Sequence, residues 1–342
     1  MAGKAFIVVT MGALLLLARH FAPGASQTRI FELHGATMGT QWQVQIASLS
    51  PPPPHVTAQL NSLLARLDRE VFSTYSHDSE LSRFNRSPPG EPVTLSPELQ
   101  QVLADAVAIY GQSLGAFDIT VAPLVDLWGF GPAPAGEIPT ATAIVQALSL
   151  TGIDKLVLDE GRGTATRRSA IRLDLSGIAK GFAVDATARL LREAGYEDFL
   201  IEIGGEILVQ GLKADMTPWQ IAVETPDTGP RSPYRVLSSG GQALAMAGSG
   251  NYRNFRQVDG IRYSHEIDPR TGYPVSHNLA AVTVLADNTT EADAWATALM
   301  VLGPEKGLAV ANRYGLAVYF ITLEDHGFSA LSSNTFQQQF GR

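Results

Sequence analysis

IRLDLSGIAKGFAVDATARLLREAGYEDFLIEIGGEILVQG, residues 171–211, contains the segments that decide the fold. The apolar alternation of IRLDL predicts a strand over 171–175. A Ser-Gly turn then leads into a helix predicted from Ile178 to Ala194, which a glycine ends. Two further apolar runs, FLIEI and EILVQ, flank a glycine pair and predict two short strands. Helices and strands are therefore interspersed, and the last two strands follow each other without a helix.

The rest of the chain continues this mixture. Hydrophobic patterns predict strands over 40–47, 280–286 and 316–322, and helices over 97–112 and 289–303. Because no strict strand–helix–strand repeat is visible, we expect an α+β fold with mixed, partly antiparallel sheets and flanking helices. The glycine- and proline-rich residues 129–140 predict a loop or a junction between two lobes of one domain that spans 27–342.

Composition indicates a globular protein and excludes one class of partner. The 342 residues are 45% hydrophobic and 17% charged, with a formal net charge of −8. Nucleic-acid binding depends on basic groups that neutralise phosphates, so we expect no nucleic-acid partner. A nucleotide-sized ligand remains compatible with this charge, because a few backbone amides or one metal ion can hold a diphosphate.

The N-terminal segment predicts export. Lys4 precedes an apolar run over 5–18, and small residues follow, so residues 1–26 have the pattern of a signal peptide. The run is shorter than the roughly 20 residues of a membrane span, although an uncleaved anchor is the alternative. The chain has no cysteine, which excludes disulfides, a thiol nucleophile and a cysteine-linked lipid. We expect a soluble periplasmic protein.

Asp293 and Thr297 are the residues whose spacing points to a metal. They stand four residues apart in the predicted helix 289–303 and therefore share a face. A carboxylate and a hydroxyl are hard oxygen donors that suit Mg²⁺. The alternative is structural, with Thr290 and Asp293 forming a capping box and Thr297 lying on the helix surface.

Two other segments have ligand-binding patterns. The start of the helix in 173–185 offers backbone amides to an anion, and Lys180 adds positive charge there. Its alternative is an ordinary capped helix. Asp118 follows Phe117 between turn residues, so these side chains suit a base or ribose; equally, they suit a core residue and a turn residue.

YSHEIDPRTGYP, residues 263–274, is unusually polar. His265 is the side chain best suited to proton transfer near neutral pH. The pairs Asp268-Pro269 and Thr271-Gly272 are typical of turns, so a surface turn is the alternative. The histidine spacing does not match a zinc site, and the GxSxG motif of serine hydrolases is absent from the sequence.

Eight short motifs together resemble the ApbE family of periplasmic FAD:protein FMN transferases. They are MGT (38–40), STY (73–75), GAFDITVAPLVDLWGFG (115–131), LDLSGIAKGFAVD (173–185), IEIGGEI (201–207), SGNYRNF (249–255), SHEIDPRTGYPV (264–275) and DAWAT (293–297). They occur in the family's order and span roughly residues 31–325. Each is weak alone, whereas the ordered set is specific.

The resemblance implies a specific reaction, which the residue patterns alone do not indicate. Members of the family cleave the diphosphate of FAD with Mg²⁺, attach FMN through a phosphoester to a threonine of an exported flavoprotein, and release AMP. Typical acceptors are subunits of redox complexes. Two alternatives use the same ligand: an FAD pyrophosphatase that passes FMN to water, and a periplasmic FAD-binding protein without catalysis.

The resemblance also assigns roles to individual residues. His265 is implied to assist the acceptor hydroxyl, and Asp268 and Thr271 to shape the loop beside the phosphates. The family often has tyrosine at the position of Phe182 and isoleucine at that of Glu266. The implied metal ligands are the side chains of Asp293 and Thr297 and the backbone carbonyl of Ala179. The implied FAD contacts are Met38, Tyr75, Ala116, Phe117, Asp118, Ser176, Phe182, Asp268 and Thr271.

Overall fold

A computed structural model describes residues 27–132, 136–252, 255–258 and 260–341. The predicted signal peptide, residues 1–26, lies outside them. Within the described residues, no helix has both the length and the apolar character to cross a membrane.

One antiparallel sheet of eight strands organises the fold, which confirms the α+β prediction. Its strands lie in the order β1-β2-β6-β7-β10-β13-β14-β15. Three smaller antiparallel sheets contain β3 to β5, β8 with β9, and β11 with β12. The strands are β1 (Arg29–Thr37), β2 (Thr40–Ser48), β3 (Pro92–Thr94), β4 (Leu156–Asp159), β5 (Thr164–Arg167), β6 (Phe199–Ile203), β7 (Glu206–Gln210), β8 (Gln220–Glu224), β9 (Pro233–Ser238), β10 (Leu244–Gly250), β11 (Phe255–Val258), β12 (Ile261–Ser264), β13 (Leu279–Ala286), β14 (Ala317–Glu324) and β15 (Gly327–Ser332).

Helices cover both faces of the large sheet. On one face, alternate residues of β2 and β6 such as Val44 and Ile201 are buried in the main core, against two central helices. On the other face, Trp219 and Met246 belong to a second core that a C-terminal helix closes with Phe336. The helices are α1 (Pro54–Arg66), α2 (Glu80–Arg86), α3 (Pro97–Gln112), α4 (Ala122–Leu127), α5 (Ala141–Ser149), α6 (Ala179–Glu193), α7 (Thr289–Tyr314) and α8 (Asn334–Phe340), with a π-helical segment at Leu67–Phe72 and a 3₁₀ turn at Ile153–Lys155.

The central helices α6 and α7 are joined by side-chain hydrogen bonds. Asp185 on α6 accepts the amides of Thr289 and Thr290 and the Thr290 hydroxyl, at 2.9, 2.8 and 2.5 Å. Asn288 is the N-cap of α7 and accepts the Glu291 amide. The capping-box alternative, in which Thr290 and Asp293 pair with each other, is therefore not what the structure has. Asp293 instead contacts α6, where it accepts the amide of Gly181.

Close packing of the two helices depends on Gly181. A Cβ placed there would lie 2.3 Å from the carbonyl oxygen of Thr289 and 2.8 Å from Cβ of Asp293. Both distances are shorter than van der Waals contact, so a larger residue must push α7 away.

We expect Gly181→Ala to lower the free energy of unfolding by about 1–3 kcal/mol, because overpacking a rigid helix contact costs that much. Gly111→Ala in α3 is the control, since its Cβ would meet nothing within 4 Å; it should stabilise by roughly 0.5–1 kcal/mol. Urea unfolding followed by circular dichroism measures both. Equal stabilities of the two variants would contradict the close approach.

Most predicted elements are confirmed, and one is wrong. Strands β2, β13 and β14 and helices α3 and α6 occupy the predicted segments, and Ser96 caps α3 by accepting the Leu99 amide. The predicted helix 289–303 is present but α7 continues beyond it, with a break at Gly303 (φ 77°) where Pro304 resumes the helix. Residues 133–135 of the predicted junction lie outside the described residues, and the two-lobe division stays a prediction.

The predicted strand at 171–175 is replaced by extended chain without a ladder. Only Arg172 forms a bridge, to Val121. The Asn85 side chain holds both the amide and the carbonyl of Leu173, at 2.7 and 2.8 Å, and the Arg167 guanidinium donates to the carbonyl of Ile171. Side chains thus satisfy backbone groups that a neighbouring strand would otherwise pair.

Candidate active site

A cleft of about 1190 Å³ opens at the edge of the main core. Its wall is contributed by turns and element ends from nearly the whole chain: the β1–β2 turn, the loops 73–75 and 116–119, the start of α6, the β6–β7 turn, the β8–β9 hairpin, the loop 265–269 and α7. A volume of this size accommodates a ligand larger than the typical drug-sized molecule.

Asp293 lies at the floor of the cleft, 3% exposed. Its Oδ2 accepts the amide of Gly181 in the first turn of α6 at 2.9 Å, and its Oδ1 lies 3.7 Å from Nζ of Lys180. At the helix start the Gly181 amide thus donates to a carboxylate of the protein itself, and the binding of a ligand anion there stays a prediction. Burial raises the pKa of Asp293, and Lys180 and the Gly181 amide oppose this only in part.

Glu206 is the second buried carboxylate of this cluster. It is 2% exposed, and its Oε1 accepts Nζ of Lys180 at 2.8 Å. Its Oε2 is buried without a hydrogen-bond partner among the described residues. Burial raises the pKa of Glu206 to about 8 despite the neighbouring ammonium. Burial alone would lower the pKa of Lys180, but Asp293 and Glu206 outweigh it and raise that pKa above its ordinary value.

This cluster predicts a pH dependence of stability in protein freed of divalent cations. Between pH 4.5 and about 8, the folded Glu206 retains a proton that the unfolded chain has lost. The free energy of unfolding should therefore fall as pH rises through this window, by up to about 1.4 kcal/mol per pH unit. Denaturant unfolding in EDTA measures it, and Glu206→Gln should reduce the slope. An unchanged slope in that variant would contradict the assignment.

Thr297 stands one turn after Asp293 on the same side of α7, as its spacing predicts. Gly177 lies against Thr297 and leaves no room for a side chain. A Cβ on Gly177 would lie 2.9 Å from Oγ1 of Thr297 and 3.2 Å from the ring of Phe117. The start of α6 therefore runs directly over Asp293 and Thr297, and Ala179 lies in that same stretch.

These groups fit a small divalent cation. Asp293, Thr297 and the carbonyl of Ala179 are hard oxygen donors, and the buried Oε2 of Glu206 beside them has no hydrogen-bond partner among the described residues. No group of three or more His, Asp or Glu side chains in the described part of the chain is arranged to hold a metal alone. Mg²⁺ is compatible with this, since it typically takes one or two carboxylates and completes its shell with water and phosphates.

Apolar and aromatic residues also line the cleft. Met38 lies in the two-residue turn between β1 and β2 with φ 48°, a conformation that non-glycine residues seldom adopt and that often occurs at functional sites. Tyr75 is 72% exposed at the rim, in a loop that Ser73 holds by accepting two amides. Phe117 is buried at the base. Such side chains suit a flat ring system.

Asp118 is a turn residue that also faces the cleft, and its contact with a base or ribose stays a prediction. It lines the cleft, and its Oδ1 accepts both the amide and the hydroxyl of Thr120, at 2.8 and 2.7 Å. Burial raises the pKa of Asp118, and the bonds from Thr120 oppose this rise.

The polar loop 263–274 places His265 in the cleft wall, with its ring edge-on to Phe130 at 6.3 Å between centroids. The loop closes on itself, since the Gly272 amide donates to the Asp268 carbonyl and the Asp268 amide to the Tyr273 carbonyl. Trp128 also fixes this loop, because its indole donates to the Gly272 carbonyl at 2.8 Å.

The charge of the cleft is strongly negative. The cations among the described lining residues are Lys180 and Arg231, with His265 as a titratable group. Eight carboxylates line the same space: Asp68, Asp118, Asp174, Glu202, Glu206, Glu224, Glu266 and Asp293. An anionic ligand therefore meets net repulsion here unless it brings a cation.

Comparison with known proteins agrees with this architecture. A family model described as the ApbE family matches residues 38–320. The chain belongs to the ApbE family. It is 40% identical to the FAD:protein FMN transferase of Haemophilus influenzae over 331 residues, which is 94% of this chain and 95% of that protein.

Other ApbE relatives match over the same extent. The FAD:protein FMN transferase of Vibrio cholerae is 40% identical over 334 residues, covering 96% of this chain and 97% of its own. The crystal structure of Pseudomonas stutzeri flavinyl transferase ApbE in its apo form superposes with a TM-score of 0.84 at 38% identity, over 92% of this chain and 98% of that one.

The fold gathers ten of the residues that the ApbE resemblance assigns to the site. These are Met38, Tyr75, Ala116, Phe117, Asp118, Ser176, Ala179, His265, Asp293 and Thr297. Their roles remain predictions. The hydroxyl of Ser176 is already bonded to Asp174, in a turn at the cleft edge.

Three assigned residues do not line the cleft. Phe182 is buried and packs edge-to-face on Phe72, which does line it. Asp268 forms a two-pronged pair with Arg270, with both distances 2.8 Å. Thr271 is exposed on the loop, where its hydroxyl accepts the Tyr273 amide. Asp268 and Thr271 thus shape the ApbE loop as expected, and contact with phosphates stays a prediction.

The sequence did not single out Glu206. It follows the paired glycines 204 and 205, which adopt φ of 64° and 110° and turn β6 into β7. A carboxylate at the first position of an otherwise apolar strand was the available signal. Its proximity to Lys180 and Asp293 depends on tertiary packing that no local pattern encodes.

Proposed function

We propose that this protein is a Mg²⁺-dependent transferase that moves FMN from FAD to a threonine hydroxyl of an acceptor flavoprotein and releases AMP. The relatives named FAD:protein FMN transferase, which match nearly the full chain, support an enzyme that uses FAD and a protein acceptor. The observation that carries the proposal is the cleft itself, because aromatic and apolar residues line it together with the Lys180–Glu206–Asp293 cluster.

The negative charge of the cleft supports the metal requirement. A diphosphate meets net repulsion in the cleft, because carboxylates outnumber its two cations even with Glu206 protonated. A divalent cation held near Asp293 would offset this repulsion. Asp293, Thr297 and the Ala179 carbonyl would hold it, and when bound it supplies charge neutralisation on the diphosphate oxygens.

The remaining residues bind and orient. Phe117, Tyr75 and Met38 offer apolar surface to the isoalloxazine or adenine ring, and Asp118 offers a carboxylate to a ribose or base. His265 takes the proton of the acceptor hydroxyl as its oxygen attacks the FMN phosphorus. The bond from that phosphorus to the bridging oxygen breaks, and AMP departs with the bridging oxygen.

A mass measurement tests the proposal. The purified protein is incubated with FAD, MgCl₂ and an acceptor domain that carries the threonine. We expect the acceptor to gain the mass of one FMN residue, and to gain none when EDTA is present or the threonine is replaced by valine. Free FMN without acceptor labelling would show hydrolysis instead, and intact bound FAD without any product would show a binding protein; either result would overturn the proposal.

We also propose that the protein acts in the periplasm, after export by residues 1–26, on a redox-complex subunit exposed there. The apolar run 5–18 after Lys4 supports export. The N-terminal mass of protein isolated from the periplasmic fraction tests this, and a protein confined to the cytoplasm with an intact N-terminus would contradict it.

A further inference from the structure

A carboxylate stands next to the proposed base. Glu266 is 9% exposed, and its Oε1 lies 3.4 Å from Nε2 of His265. The same oxygen accepts the hydroxyl of Ser249 at 2.5 Å. Ser249 belongs to β10, so a strand of the central sheet fixes the carboxylate from the side away from the loop.

The backbone of Glu266 is fixed as well. Its amide donates to the Ser264 hydroxyl at 3.1 Å, and its carbonyl accepts the amide of Val275 at 3.0 Å. The main chain of Glu266 is therefore fixed by these two bonds, and its carboxylate by Ser249. A carboxylate held in this way can fix the orientation of a neighbouring imidazole.

Charges from the central helices face this pair. The negative charge of Glu266 acts on Lys180 of α6 and on Asp293 of α7. Phe130 covers the imidazole edge-on. Glu266 can thus influence His265 through contact, and Lys180 and Asp293 through its charge.

We propose that Glu266 is a positioning residue for the transfer, whose carboxylate, held by Ser249, orients the His265 ring and keeps a proton on Nε2. This rests on the proposed function, in which His265 assists the acceptor hydroxyl. With Nε2 protonated towards Glu266, Nδ1 is the nitrogen that takes up the proton of the hydroxyl as the phosphoester forms and AMP leaves. The arrangement follows the logic in which an acid fixes the tautomer of a catalytic imidazole.

Substitution of Glu266 distinguishes a residue that orients His265 from one that only packs against it. Glu266→Gln keeps the shape and a hydrogen-bond acceptor for Ser249 but removes the charge. We expect its kcat for FMN transfer to fall by about 10-fold or more, with a KM for FAD close to that of the parent protein. The ¹⁵N shifts of the His265 ring, assigned by their absence in His265→Ala, should show less Nε2–H tautomer at a pH where the ring is neutral. Ser249→Ala should change both readouts in the same direction and less.

Glu202→Gln is the matched control. It removes the same charge from another carboxylate of the cleft, one that accepts the Gly205 amide at 2.7 Å. It should leave the His265 ¹⁵N shifts as they are in the parent. A Glu266→Gln variant with parental ¹⁵N shifts would overturn the inference, whether or not its rate falls. A parent protein that transfers no FMN would contradict the proposed function instead, and the spectra separate these two failures.

Discussion

Asp293→Asn should abolish Mg²⁺-dependent FMN transfer, with a rate loss of roughly 1,000-fold or more, because a metal that neutralises the diphosphate contributes several kcal/mol to the barrier. The substitution is conservative in shape. The asparagine carbonyl can still accept the Gly181 amide, so the contact between α6 and α7 is retained. What is lost is the only predicted metal ligand that carries charge. Initial rates measured over a range of MgCl₂ concentrations, with Mn²⁺ binding followed by electron paramagnetic resonance, show whether affinity or turnover fails.

Asp287→Ala controls for the loss of an acid near the start of α7. Asp287 is exposed and lies just before the N-cap Asn288, outside the cleft. It should keep parental rates and metal affinity. Thermal unfolding of Asp293→Asn verifies that the fold survives. Full activity of Asp293→Asn at limiting Mg²⁺ would remove Asp293 from the metal site.

The second large effect is expected at His265. His265→Ala should slow transfer by about 100-fold to 10,000-fold, the usual contribution of a positioned base, while the Kd for FAD changes little. The reason is geometric: the ring lines the cleft between Phe130 and Glu266, where an acceptor hydroxyl can reach it beside the phosphates. Single-turnover transfer to the acceptor and FAD fluorescence quenching measure the two quantities separately.

His326→Ala provides the comparison, because His326 is exposed in the turn between β14 and β15. Neither its transfer rate nor its FAD affinity should change. An equal loss of transfer and binding in His265→Ala would make His265 a binding residue and exclude the base.

The sequence predicted the elements whose identity depends on local pattern. Alternation in 40–47 and the capping Ser96 before α3 are local signals, and both segments formed as expected. The segment 171–175 has the same alternation, yet it forms no ladder because Asn85 and Arg167 satisfy its backbone. Whether an apolar extended segment pairs is decided by what lies beside it, and a single sequence does not contain that information.

The residues of the candidate site also fall into those that a local sequence pattern predicts and those that only tertiary packing brings together. The spacing of Asp293 and Thr297 correctly predicted a shared helix face. Lys180 was predicted to add positive charge for an anion at the start of a helix. In the structure it contacts Glu206 and Asp293 of the same chain, and a ligand anion there stays a prediction. The burial of Glu206 and the clamp of Ser249 on Glu266 join segments that are distant in sequence. Such contacts form only in the folded structure, so a local sequence pattern does not predict them.

The residues that line the cleft run from Met38 to Val301 in the chain. A chain that has folded only as far as β10 supplies Met38, Tyr75 and Phe117 but has no α7, and so lacks Asp293 and Thr297. A ligand that contacts both groups of residues can bind only after the last third of the chain has been synthesised and folded. Occupancy of the cleft by such a ligand therefore reports that α7 has folded into place.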